Sequence, residues 1–220
     1  MQHEDDVITA IFSADDRRIA TASINGDVRV WDSLTGEPLT PYLKHPHGVN
    51  VIEFSPNGQF VVTGSDDGFI RFWGAKTGLL QRPLLRQNGK IRFVTFHPDG
   101  RHLLTASDPG SMESVAEVRL WDLAASAQRP GPLETRSARH AGFVPGSNRV
   151  LVADREDGLR LFDSKTKEPL TDIRRVSGDI VHFEFDRSGT LVVTATAAGV
   201  ARVWDTATLK PQTPQMIHDS

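Results

Sequence analysis

Short apolar or alternating runs separated by turn residues mark this chain throughout, the pattern of strands in small antiparallel sheets. It is clearest after residue 48. Val49 to Phe54 predicts a first strand, Ser55-Pro56-Asn57-Gly58 a tight turn, and Gln59 to Ser65 a second strand. Asp66-Asp67-Gly68 turns the chain into a third strand, Phe69 to Trp73. Ala75-Lys76-Thr77-Gly78 then leads to a fourth and outermost strand, Leu79 to Leu85, where Pro83 is tolerable because an edge strand need not donate every hydrogen bond.

The same unit recurs along the chain. Trp31, Trp73, Trp121 and Trp204 are spaced by 42, 48 and 83 residues, and the last interval divides into 41 and 42 around Phe162. Five repeats result, at about 3–44, 45–86, 87–134, 135–175 and 176–217. Phe12, Phe54, Phe143 and Phe185 each stand 19 residues before their repeat's Trp or Phe marker, whereas Phe96 stands 25 before Trp121. Phe54 to Thr63 and Phe96 to Thr105 have equal length, so the six extra residues lie after Thr105, in a loop over Asp108 to Glu117. A lone sheet of this kind cannot cover both apolar faces, so neighbouring repeats must stack and share a core in which the indoles sit.

These residues resemble the WD40-repeat β-propeller family. Trp31-Asp32, Trp121-Asp122 and Trp204-Asp205 are its naming dipeptide, and Phe54-Ser55-Pro56-Asn57-Gly58 and Phe96-His97-Pro98-Asp99-Gly100 match its first hairpin. Thr35-Gly36-Glu37-Pro38-Leu39-Thr40 and Lys167-Glu168-Pro169-Leu170-Thr171 look like prokaryotic-type members. The resemblance implies an all-β, WD40-type β-propeller with five four-stranded antiparallel blades. It also implies a hydrogen-bonded tetrad of His, Ser or Thr, Asp and Trp in each blade. Blade two carries all four in His45, Thr63 (or Ser65), Asp67 and Trp73. Blade one has His3, Thr21 and Trp31 with Asn25 at the Asp position, and blade three has Gln87 for His. Blade four has Val152 and Phe162 with Glu156 near the Asp position, and blade five keeps Thr194 and Trp204 beside Val176 and Ala198. Apolar packing is therefore expected to hold blades four and five. WD40 rings usually have seven blades and close by pairing strands from both chain ends. The chain is thus expected to be a five-repeat portion of a longer propeller, an incomplete ring whose remaining blades belong to a longer parent chain.

Composition narrows the chemistry. Twenty-five basic and 28 acidic residues in mixed order give a net charge of −3, too weak a field to gather nucleic acid or anionic membrane. Arg136, Arg139 and His140 are the one local basic cluster. With no cysteine, neither a disulfide nor a thiolate metal site can form. An acidic N-terminus and the lack of a long apolar run argue against a signal or membrane span, and a cytoplasmic location is expected. His45-Pro46-His47 lacks a third clustered ligand, so no metal site is expected. The acidic pairs Asp15-Asp16, Asp66-Asp67 and Glu156-Asp157 fall in predicted turns, where Asp caps backbone groups. No cofactor or catalytic residue is expected, since phosphate loops, nucleophile elbows and zinc helices are missing.

The expected function is a non-catalytic scaffold that presents blade loops to a protein or peptide. Its candidate contact residues are Asp108, Ser111, Met112 and Glu113 in the blade-three loop, with Asp66, His47, Arg155 and Glu156 on the same face. Trp31, Trp73, Trp121, Phe162, Trp204, His45, Thr63 and Asp67 are expected to be structural. The alternative readings are a sensor or regulatory propeller of a larger signalling enzyme, and a small-molecule or quinone-binding propeller enzyme.

Overall fold

In the computed structural model the described residues are 5–108, 110, 117–124, 132–133, 135, 138–154 and 158–217. Their regular structure is entirely β, in five antiparallel sheets that follow one another along the chain. The first contains β1 (Val7–Phe12), β2 (Arg18–Ser23), β3 (Asp27–Asp32) and β4 (Leu43–Lys44). The second contains β5 (Val49–Phe54), β6 (Phe60–Ser65), β7 (Phe69–Gly74) and β8 (Leu85–Arg86). The third contains β9 (Lys90–Phe96), β10 (His102–Asp108), β11 (Glu117–Asp122) and β12 (Pro132–Leu133). β13 (Ala138–Phe143), β14 (Arg149–Asp154) and β15 (Gly158–Asp163) form the fourth, which is three-stranded, with Arg174 bridged to Leu159 beyond its edge. β16 (Ile180–Phe185), β17 (Leu191–Thr196), β18 (Val200–Asp205) and β19 (Met216–Ile217) complete the fifth.

The outermost strand departs from the sequence expectation. In blade two, pairing is confined to Leu85–Arg86 and a single bridge from Leu80 to Trp73, rather than running from Leu79 to Leu85. Proline is the reason. Pro83 has no N–H for the ladder, and Pro41 and Pro214 stand in the corresponding segments of blades one and five.

A bulge recurs where each first strand meets its second. The register steps past Ile8, Asn50, Arg92, Arg139 and Val181, which occupy one equivalent position in the five repeats. An unpaired bulge residue re-aims its side chain out of the ladder.

The chain divides into two compact units, the first formed by residues 1–114 and 121–129 and the second by 115–120 and 130–220. In the first, one core packs Val28, Val30, Leu43, Ile52, Phe54 and Val61, and another packs Ile70, Phe72, Ile91, Phe96, Leu103 and Trp121. In the second, Trp204 packs with Leu151, Leu159, Leu161, Ile180, Val192 and Leu209. Trp31, Trp121, Phe162 and Trp204 are buried, while Trp73 is partly exposed at the rim of its core. The described residues contain no helix long and apolar enough to cross a membrane.

Candidate functional site

A hydrogen-bonded chain fixes each blade that has the residues for it. Trp73 Nε1 donates to Thr63 Oγ1 at 3.0 Å, and Thr63 Oγ1 lies 2.8 Å from His45 Nε2. His45 Nδ1 faces the carbonyls of Gly26 and Leu43 at 3.0 and 2.8 Å, so it carries the proton, and Nε2 accepts from Thr63. Desolvation is the main cause that lowers the His45 pKa to about 4, with the Arg71 charge adding to it, which keeps the ring neutral. Asp67 lies outside this chain. Its carboxylate accepts from Ser65 Oγ and the Phe69 N–H and pairs with Arg71 at 2.7 Å, so the four tetrad residues expected in blade two form two separate groups.

The expected departures prove chemically conservative in two blades. Asn25 Oδ1 accepts from Ser23 Oγ and the Asp27 N–H, the same two kinds of bond that Asp67 makes. Gln87 Oε1 accepts from Thr105 Oγ1, which in turn accepts Trp121 Nε1 at 2.8 Å, so an amide does the work of the imidazole. Trp204 donates to Thr194 at 2.9 Å, and the Val176 side chain packs on the apolar core of blade five.

At one end of blades two and three these rigid sheets hold a polar edge. Gly68 has φ +77°, and a Cβ there would lie 2.6 Å from the Gln87 carbonyl oxygen, so only glycine lets the β6–β7 turn seat against the segment entering blade three. The Asp66 N–H donates to Gly48 O, next to exposed His47. Asp66 accepts from Asn50 Nδ2 and Lys90 Nζ, both at 2.7 Å. Arg92 donates to Asn50 Oδ1 at 3.0 Å and stands 3.9 Å from Asp66. Burial raises the Asp66 pKa, but the Asn50 and Lys90 hydrogen bonds and the Lys90 and Arg92 charges outweigh it and hold the carboxyl below its usual range. Asp108 pairs in register with Lys90 and accepts the Gly110 N–H at 2.9 Å.

The structure thus brings Asp66, His47 and Asp108 to one edge. Ser111, Met112, Glu113, Arg155 and Glu156 lie outside the described residues, as do His3, Arg136 and Asp157. Of the basic cluster before blade four only the His140 side chain is described, and its ring stands edge-on to His182 and Phe183. Asp15 is held in its turn by Ser13 Oγ and the Arg17 N–H. Asn50, Lys90 and Arg92 were not among the expected site residues. The signal was present in the register, since Asn50 and Arg92 are 42 residues apart, one repeat, and so become neighbours when blades stack. Glu53 also escaped notice. Burial pushes its carboxyl up to about 7 although it accepts from the Phe96 N–H and Thr95 Oγ1 of blade three.

The WD40 family model, described as the WD domain, G-beta repeat, matches residues 1–32, 36–74 and 81–112. A search of curated proteins returns no match. Among solved structures the chain is similar to the computationally designed Ika8 protein, with a TM-score of 0.80 and 20% identity over 99% of this chain and 64% of that one. It is also similar to the β-propeller domain of Cps50 (Swd1) from Myceliophteria thermophila, with a TM-score of 0.78 and 15% identity over 93% of this chain and 67% of that one. The chain therefore spans about two thirds of the length of these two structures. At these identities the likeness speaks for fold alone. The matched repeats, the recurring Trp-to-Thr hydrogen bond and the sheet order place this chain in the WD40-repeat family of β-propellers.

Proposed function

We propose that the chain is a non-catalytic interaction scaffold that docks a protein or peptide segment on the polar edge of blades two and three. WD40 propellers commonly serve as interaction scaffolds, and the observation that carries this reading is the bulge. It turns Asn50 and Arg92 out of their ladders and toward Asp66, where cross-blade bonds hold charged, partly exposed side chains in fixed positions. Preorganised groups lose little entropy when they bind. The edge offers donors on Lys90 and Arg92, acceptors on Asp66 and Asp108, and a mixed charge that suits a polar peptide backbone with both acidic and basic side chains.

The test is a peptide-display selection on the purified chain, followed by affinity measurement on Asp66→Ala and Arg92→Ala. Selected peptides are expected to lose at least about tenfold on either substitution, equivalent to the 1.4 kcal/mol of a truncated contact residue. Peptides that bind both variants as tightly as the parent would move the docking site away from this edge, and failure to select any peptide would count against the scaffold reading.

A further inference from the structure

We propose that His97, Asp99 and His102, on the hairpin turn between β9 and β10, form a site for a divalent transition-metal ion of the zinc type. Asp99 Oδ1 accepts the backbone N–H groups of Arg101 and His102 at 2.7 and 3.0 Å, which fixes the carboxylate. Its other oxygen, Oδ2, lies 3.0 Å from His97 Nδ1 and 2.7 Å from His102 Nδ1. One donor atom from each residue falls within 4.8 Å of the other two. A tetrahedral ion bound at about 2.0–2.2 Å sets its ligands roughly 3.4 Å apart, so small rotations of two imidazoles complete the cradle. The site is partly open, with side-chain exposures of 22% for His97, 37% for Asp99 and 36% for His102, so an ion has access.

Both imidazoles turn Nδ1 toward the same carboxylate oxygen, so two ring nitrogens and one oxygen converge on one point of the turn. His97 Nδ1 accepts the Asp99 N–H at 3.2 Å, a bond that coordination of an ion would replace. The hairpin itself has no need of imidazoles. The matching positions are Ser13 and Arg18 in blade one and Ser55 and Phe60 in blade two, where a serine hydroxyl closes the turn onto Asp15 or Asn57. Two imidazoles and one carboxylate suit zinc, cobalt or nickel, whereas calcium and magnesium favour all-oxygen sites.

The experiment is calorimetric titration of the purified chain with zinc chloride at mildly alkaline pH, where imidazole ligands are deprotonated. One saturable site is expected, weakened at least about tenfold in His97→Ser and in His102→Phe, each of which installs the residue that blade two uses. His140→Ala should bind as the parent does, and calcium chloride should give no saturable heat. Absence of saturable zinc binding would overturn the proposal. Undiminished binding in both turn variants, or calcium binding of equal strength, would overturn it as well.

Discussion

His45 and Glu53 give this protein two opposed titrations, because burial acts in opposite senses on a base and an acid. The His45 pKa falls from 6.5 to about 4 on folding, so its contribution to stability is present above pH 6.5 and is lost as pH falls toward 4. The Glu53 pKa rises from 4.5 to about 7, so its contribution is present below pH 4.5 and is lost as pH rises toward 7. Each shift corresponds to at most about 3 kcal/mol. Gln87 shows that an amide can stand where His45 stands. His45→Gln is therefore expected to keep the Thr63 and Trp73 bonds while flattening the acid side of a melting-temperature profile taken against pH. An unaltered acid limb would show that His45 does not control it. Glu53→Gln keeps an acceptor for Thr95 and Phe96 without the buried charge, and should raise the melting temperature above pH 7 while leaving it unchanged below pH 4.5. A lowered melting temperature at high pH would mean that the charged form is worth more than its desolvation costs.

Between elements, one small residue recurs at the same place in each second strand. Ala22, Gly64, Ala106, Ala153 and Ala195 share that register position. A Cβ at Gly64 would lie 2.4 Å from Ile91 Cγ2 and 2.8 Å from Val51 Cγ1, and both of those residues are β-branched and stiff. Gly64→Ala is therefore expected to cost about 1–3 kcal/mol through overpacking, read from denaturant unfolding. Unchanged stability would mean that β6 and β9 separate freely. The repeat and its strands were legible because they depend on periodicity and turn residues, which are local. The truncated outer strand was misjudged because one proline weighs little in a pattern but removes a donor from a two-residue ladder. The polar edge was only partly legible, since Asp66 lies in an obvious turn and Asp108 borders the inserted loop, whereas Asn50 and Lys90 gain meaning only when two blades are side by side.

At the scale of the whole molecule, repeat arrays couple mainly through nearest neighbours, so damage should stay local. Trp204 is 2% exposed and packs with residues of blades four and five. Trp204→Ala is expected to cost about 3–5 kcal/mol within those blades. Hydrogen exchange should then accelerate across β13 to β19 while β5 to β7 stay protected, and uniform acceleration in all sheets would show instead that the chain opens as one cooperative unit. The sequence by itself determined the repeat count, the strand order within a blade and the family resemblance, because each follows from residue type at a fixed spacing. Only the tertiary structure decided that Asp67 stands apart from His45, that Gln87 replaces an imidazole, that Asn50 and Arg92 leave their ladders, and that two histidines converge on Asp99. Those outcomes depend on side-chain directions and on distances between segments one repeat or one turn apart, quantities that a linear pattern of residue types does not contain.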